Sequence, residues 1–205
     1  MGSGQAGTDR GLIERAQQFV TARRGGRRVM TGLSKGIERV EVRLRWDPSP
    51  PGVPQSDLDV IAAAFQVGAE HGEPAYLVHF DSRAPDGTMW LNRDSKDGKG
   101  LGFDEVMTLE LDRLGAQYRR VVVGAMIQQR YGRLEFGMVD DPGYQIVSGW
   151  TVLAEGDLDH LGTATAATFA EFTRAESGAW SFHPLLCGYA ADPDTFGHLM
   201  GRPPA

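Results

Sequence analysis

Apolar and polar residues alternate with a period of two along most of the chain. In the segment 38–46, ERVEVRLRW, the residues Val40, Val42, Leu44 and Trp46 are separated by charged residues, which is typical of a strand buried on one face. Similar runs predict further strands at 60–65, 75–80, 89–91, 106–111, 119–127, 144–154, 163–174 and 179–189. Short strands separated by Gly, Pro and Asp turns, with no helical pattern between them, predict an all-β fold, a two-sheet antiparallel β-sandwich.

A helical period is confined to the two ends of the chain. From Thr8 to about Arg24, apolar residues recur at helical spacing and predict an amphipathic helix, which a pair of glycines ends. At the other end, the sequence Asp192-Pro193-Asp194 predicts the start of a short capped helix over 195–200. We therefore divide the chain into a helical, basic N-terminal extension, residues 1–30, and a sandwich domain, residues 31–205.

Charge is distributed unevenly between these two parts. The first 45 residues hold ten Lys or Arg against four acidic residues, the remainder holds eleven against twenty-three, and the formal net charge is −6. The acidic body argues against a protein that wraps nucleic acid over its whole surface, so no nucleic-acid partner is expected. For the N-terminal extension three roles stay open: packing on the sandwich or on a partner subunit, weak membrane-surface contact through residues 8–28, and a nucleic-acid arm. Packing on protein is favoured because the apolar stripe is short and lacks Trp.

The cysteine count and the hydropathy pattern indicate the compartment. Cys187 is the single cysteine, so no intrachain disulfide forms and a reducing cytoplasm fits best. The chain lacks an apolar run near the roughly 20 residues that span a bilayer. We expect a cytoplasmic protein in which Cys187 is a small buried thiol.

The segment Asp94–Glu105, DSKDGKGLGFDE, has the length and the acidic ends of an EF-hand calcium loop. Its third residue is Lys96, its fifth is Gly98, and Lys99 stands at the sixth position, where the sharp turn of an EF-hand needs Gly. Its neighbours also have the pattern of strands and not of helices. The EF-hand interpretation is therefore rejected.

What remains is a glycine-rich loop with several carboxylates between two predicted strands. Asp94, Asp104 and Glu105 belong to this loop, and Asp57 and Asp59 open another predicted strand. Loops at one end of a sandwich can converge on a Ca²⁺ ion, which takes about six to eight oxygen ligands. Spacing alone leaves two interpretations open, a cation site and a solvated acidic turn, because turns favour Asp and Gly for local reasons.

Several ordered blocks of sequence resemble a known family. They include LSKG (33–36), LRWD (44–47), DLDVIAAAF (57–65), PDG (85–87), GKGLGFDEVMTLELDRL (98–114), RVVVGAMI (120–127) and EFGMV (135–139). In this order they resemble the TerD family of tellurite-resistance and stress-response proteins. The resemblance runs from about Thr31 to Gly201, and the first thirty residues lie outside it.

The resemblance implies a sandwich that binds calcium at one edge and has no established catalytic activity. It implies a ligand set drawn from two segments, which here supply Asp57, Asp59, Asp94, Asp104 and Glu105. Leu101 and Phe103 stand where the family typically has aspartates, and Gln128-Gln129 replaces a typical His-Asp pair. We therefore expect one calcium site and regard a second as doubtful, although Asp140 and Asp141 could return charge to it.

The function expected from these features is that of a bacterial, non-enzymatic binding or scaffolding module in stress response. Other stress-response proteins are the expected partners, and an oligomer is compatible with the sequence. One alternative is a calcium-dependent carbohydrate-binding sandwich, in which exposed tryptophans stack on sugars. Another is a hydrolase or redox enzyme acting on a metal oxyanion, for which the sequence offers no nucleophile motif, thiol pair or cofactor motif. The four tryptophans are predicted to pack in the core, and the five histidines to be packing or surface residues.

Overall fold

The computed structural model describes residues 36–82, 84 and 86–202. The predicted N-terminal helix, and with it the boundary near residue 30, lies outside the described residues. Within them, no helix is both long and apolar enough to cross a membrane.

Ten strands form two five-stranded antiparallel sheets, which confirms the predicted β-sandwich. The strands of the first sheet are β1 (Arg39–Arg45), β4 (Met89–Arg93), β5 (Glu105–Glu110), β7 (Gly143–Ser148) and β8 (Thr151–Asp157). Those of the second are β2 (Leu58–Gln66), β3 (Tyr76–Val78), β6 (Tyr118–Ile127), β9 (Ala166–Arg174) and β10 (Trp180–Tyr189). The order is β4-β5-β1-β7-β8 in the first sheet and β10-β9-β6-β2-β3 in the second.

The main core lies between the sheets, and a smaller cluster lies outside the second sheet. In β1, alternate residues such as Val40 and Leu44 point into the main core, as the period of two predicts. β2 is buried along nearly its whole length, because its outer face is covered by a C-terminal helix, Pro193–Leu199. The carboxylate of Asp192 accepts a hydrogen bond from the backbone N of Thr195 at 2.8 Å, so this helix begins with the predicted cap.

One predicted strand, 144–154, is wrong, because it consists of β7 and β8 joined by a tight turn. Gly149 has φ of +57° there, a left-handed conformation that glycine adopts without steric cost. Trp150 follows it and is fully exposed, so its predicted place in the core is also wrong. Trp46 and Trp180 are buried as predicted. Two short 3-10 helices, Phe136–Met138 and Asp159–Leu161, were not predicted.

Strand register determines which loops meet at one end of the sandwich. Leu44, at the end of β1, pairs with Glu105 at the start of β5, and Leu58, at the start of β2, pairs with Ile127 at the end of β6. The loops 46–57, 94–104 and 128–142 therefore lie at the same end, which we call the acidic end. The turn between β7 and β8 lies at the opposite end, where the hydroxyl of Ser148 donates to the carbonyl of Arg39.

Candidate metal centre

Three carboxylates from different segments meet at the acidic end. One oxygen each from Asp59, Asp94 and Glu105 lies within 4.8 Å of the other two. Asp59 belongs to β2 and Glu105 to β5, so the group joins the second sheet to the first, and Asp94 reaches it from the loop after β4. We call these three residues the carboxylate cluster. It is the one group of three or more potential metal-ligating His, Cys, Asp or Glu residues within the described part of the chain.

Glu105 is the most deeply placed member of the cluster, with a relative exposure of 0%. Its Oε2 accepts a hydrogen bond from the backbone N of Val60 at 2.5 Å, which links the two sheets directly. Its Oε1 has no hydrogen-bond partner among the described residues. Burial raises the pKa of Glu105 to about 10, and the bond from Val60 opposes this. The charges of Asp59 and Asp94, and the proximity of the Asp94 carboxylate to the proton on Glu105, raise the pKa further. A buried oxygen without a hydrogen-bond partner costs about 1–3 kcal/mol, and a bound cation would replace the proton of this carboxyl and supply the missing partner.

Asp59 is buried beside Glu105 and is held by a side chain from the end of β6. Nε2 of Gln128 donates to Oδ2 of Asp59 at 2.5 Å. Burial raises the pKa of Asp59 to about 6, and the neighbouring charges of Asp57 and Asp94 act in the same direction. The cluster is therefore an arrangement of mutually repelling oxygens, in which a proton or a cation relieves the repulsion.

Asp57 lies beside the cluster, and its carboxylate forms an ion pair with the guanidinium of Arg130. Its Oδ2 lies 3.4 Å from Nη1 of Arg130. Burial raises the pKa of Asp57, Arg130 lowers it, and the charge of Asp94 raises it further. The charge of the cluster therefore affects the pKa of Asp57. The oxygens of Asp57 do not belong to the group that lies within 4.8 Å.

Asp104, the remaining predicted ligand, lies in a different environment. Its Oδ2 accepts a hydrogen bond from the backbone N of Trp46 at 3.1 Å, and burial raises its pKa. It lines a separate cleft of about 250 Å³ together with Asp47 and the glycine-rich loop. The structure therefore brings together three of the five predicted ligands, places Asp57 beside them and separates Asp104 from them.

The positions that distinguish this chain from the family pattern do not add carboxylates to the cluster. Leu101 is 95% exposed, and Phe103 lies under the guanidinium of Arg43, 5.4 Å from ring centroid to Cζ. The carboxylate of Asp141 forms an ion pair with Arg45.

Sequence reasoning missed the roles of Gln128 and Arg130. The strand register supplied the signal: because Leu58 pairs with Ile127, the residues just after β6 lie beside those just before β2. The backbone N of Gln128 indeed donates to the carbonyl of Asp57 at 2.8 Å. An amide or a guanidinium is not a typical metal ligand, so neither residue type marks a cation site in the sequence.

The histidines and the cysteine have ordinary surroundings. His183 shares a hydrogen bond with Thr173 at 3.0 Å, and Nδ1 of His198 lies 2.5 Å from a carboxylate oxygen of Glu73. Cys187 is buried as predicted, and burial raises the pKa of its thiol, which keeps it in the less nucleophilic protonated form.

Comparison with known sequences identifies relatives of this chain. The family model described as the TerD domain matches residues 20–196. A protein named Tellurium resistance protein TerD, from Alcaligenes sp, is 28% identical over 178 residues, which cover 83% of this chain and 91% of the relative. A protein of the same name from Serratia marcescens is 27% identical over 178 residues with the same coverage.

Solved structures agree with this similarity. The crystal structure of a homologue of telluride resistance protein (TerD) from Streptomyces coelicolor A3(2) is 46% identical, superposes with a TM-score of 0.80, and is matched over 82% of this chain and 100% of its own. A crystal structure of a protein of unknown function is 57% identical, with a TM-score of 0.81 and coverage of 82% and 99%. Since the family model matches most of the chain and the fold agrees, this chain belongs to the TerD family.

Proposed function

We propose that this chain is a non-enzymatic, calcium-binding protein of tellurium resistance and bacterial stress response, acting in the cytoplasm as a binding or scaffolding module. The observation that carries the calcium proposal is the unpaired Oε1 of Glu105, fully buried and adjacent to two further carboxylates. The tellurium role is supported by the names of relatives matched over most of their length.

Calcium is the proposed ion because of the donors present. The cluster consists of carboxylate oxygens alone, whereas structural zinc sites favour Cys and His. Ca²⁺ accepts about six to eight oxygens at about 2.3–2.6 Å in flexible geometry, so carbonyls of the loop and water can complete a shell begun by three carboxylates. Mg²⁺ demands near-ideal octahedral geometry and loses its waters reluctantly, which suits an irregular loop less well.

The chain's own residues suggest what the ion does. Asp59 and Glu105, which belong to different sheets, would hold a cation together with Asp94, and its positive charge would relieve the repulsion among their carboxylates. Because Asp94 is already part of the cluster, a bound ion would tie the start of the 94–104 segment more firmly to the two sheets. We propose that the acidic end in this bound state is what other stress-response proteins recognise, and that resistance to tellurium follows indirectly from such an assembly.

The carbohydrate alternative gains no support from the exposed tryptophan. Trp150 is exposed, but it lies in the turn between β7 and β8, at the opposite end from the carboxylate cluster. Trp46, which does lie at the acidic end, is buried and donates from Nε1 to the carbonyl of Ser56 at 3.0 Å. Neither ring is placed to stack on a sugar held by the proposed ion.

Calorimetric titration of chelator-treated protein with Ca²⁺ tests the proposal. We expect binding by the wild type, with a calcium-dependent rise in melting temperature because a ligand of the folded state stabilises it. Glu105→Gln should abolish both. Glu110→Gln is the matched control, since Glu110 lies at the other end of β5 and is paired with Arg113. Equal binding by wild type and Glu105→Gln would refute the proposed site.

A further inference from the structure

We infer that Arg130 is a built-in counter-cation that competes with the bound metal for Asp57 and thereby sets the affinity of the site. The inference rests on the proposed calcium function and concerns its regulation. It assigns a role to a residue outside the ligand set that the family pattern implies.

The contact between the two side chains is the first observation. Nη1 of Arg130 lies 3.4 Å from Oδ2 of Asp57, with side-chain exposures of 48% and 13% respectively. Asp57 is therefore mostly withdrawn from water while the guanidinium reaches it from the surface. The charge of Arg130 acts on Asp59 as well as on Asp57, so it neutralises part of the field that would attract a metal.

The backbone around Arg130 is fixed, which is the second observation. Nε2 of Gln129 donates to the carbonyls of Ile127 at 2.9 Å and Leu134 at 3.0 Å, and its Oε1 accepts from the backbone N of Leu134 at 2.9 Å. These bonds hold the segment between β6 and residue 134 in place. Arg130 can therefore leave Asp57 by side-chain rotation alone, without unfolding of the segment that carries it.

The exchange follows from charge balance. The carboxylate of Asp57 cannot pair fully with both Arg130 and a metal ion. A metal that binds Asp57 must therefore displace the guanidinium. The free energy by which the Arg130–Asp57 pair stabilises the metal-free state is lost when the metal binds, so the metal binds more weakly by that amount. The arrangement raises the calcium concentration at which the site is half occupied.

Titration with Ca²⁺ of the full chain carrying Arg130→Gln tests this inference. The variant should bind about fivefold more tightly than wild type, a modest gain because the ion pair is half exposed. Arg133→Gln is the matched control: it removes the same charge from the same segment, but Arg133 pairs with Glu135 at 2.6 Å, so its affinity should match wild type. Arg130→Lys, which keeps the charge, should stay near wild type.

Two further measurements separate competition from a purely structural role. Asp57→Asn should weaken binding more in the Arg130→Gln background than in the wild type, because only there is Asp57 free to act as a ligand. In the wild type, the Nε–Hε nuclear magnetic resonance signal of Arg130 should shift on addition of Ca²⁺ while that of Arg133 stays in place, a test that needs no variant.

The outcomes distinguish this inference from the proposed function. Equal affinities of wild type and Arg130→Gln, or weaker binding by the variant, with an unmoved Arg130 signal, would overturn the role of Arg130 and leave the calcium site standing. Absence of calcium binding in wild type and every variant would overturn the proposed function itself. Binding by Arg130→Gln alone would support the inference and show that the guanidinium holds the wild-type site below detection.

Discussion

Two buried ionisable side chains, Arg120 and Glu105, lie at opposite ends of the sandwich and have different sets of partners. Arg120, at the start of β6, donates from Nε to Glu171 at 2.7 Å and from Nη1 to the carbonyls of Glu70 and Gly201, each at 2.8 Å. Its guanidinium also lies 5.3 Å from the ring centroid of Phe65. Glu105 keeps one oxygen unpaired.

From this difference we expect Arg120 to stabilise the fold and Glu105 to take part in the proposed metal binding. A buried charge with partners from several segments ties those segments together, here the C-terminal end at Gly201 and the turn at Glu70. A buried carboxyl with an incomplete set of partners contributes less to the stability of the metal-free protein and gains most from a ligand. Arg120 should therefore matter to stability whatever the metal content, and Glu105 should matter through the metal.

The largest expected effect is the loss of Arg120. Arg120→Met removes the buried side of an ion pair, in which the side chain of Arg120 is 3% exposed and that of Glu171 24%, and it leaves Glu171 and two carbonyls without their donor. Breaking a fully buried pair costs about 3–5 kcal/mol, and because Glu171 keeps part of its hydration we expect a loss near the lower limit, equal with Ca²⁺ or chelator. Urea unfolding measures it, with the exposed Arg113→Gln as control. A loss below about 1 kcal/mol, the value of a surface pair, would show that Arg120 stabilises the fold no more than an exposed ion pair does.

The next effect is a pH dependence of the metal-free protein. The pKa of Glu105 is raised to about 10 in the folded state from an ordinary value of 4.5. The folded protein therefore holds this proton more tightly than the unfolded chain, and the associated stability is fully present below the ordinary pKa and is lost as pH rises toward the folded one. Asp59, with a pKa raised to about 6, contributes in the same direction.

Unfolding free energies between pH 5 and 8.5 in chelator measure this dependence. Glu105→Gln cannot ionise at this position, so its stability should fall less with pH than that of the wild type, by about 1–3 kcal/mol at the alkaline limit if the desolvation cost of a buried group applies. Saturating Ca²⁺ should flatten the wild-type curve. Parallel curves for wild type and variant in chelator would show that Glu105 does not carry the effect.

The smallest expected effect is local. Chelation should speed amide hydrogen exchange in the 94–104 segment and at Val60, whose N–H is bonded to Glu105, because the acidic end opens without global unfolding. Amides around Arg120 and Gly201 serve as the internal control and should exchange at unchanged rates. Uniform acceleration across both ends would mean that the ion stabilises the whole fold and not the cluster.

Most of the sheet structure could be predicted from sequence because strand burial produces a period of two. The turn at Gly149-Trp150 could not, because the residues around it, YQIVSGWTVLA, are apolar on both sides and conceal the break. At the site, sequence proposed both Asp104 and Glu105. Asp104 lies in the bend just before β5 and bonds to Trp46, whereas Glu105 is the first residue of the strand and reaches the carboxylate cluster. The contact of Arg130 with Asp57 could not be predicted from sequence, because it depends on the pairing of β2 with β6.

Electron density from crystals grown with Ca²⁺ and with chelator tests most directly whether the carboxylate cluster binds calcium. We expect a peak among Asp59, Asp94 and Glu105, with Oε1 of Glu105 at about 2.3–2.6 Å and about six or more oxygens around it, and no such peak in the chelated crystals. A calcium crystal in which Oε1 contacts only water, or in which the ion lies elsewhere, would contradict calcium binding by the carboxylate cluster.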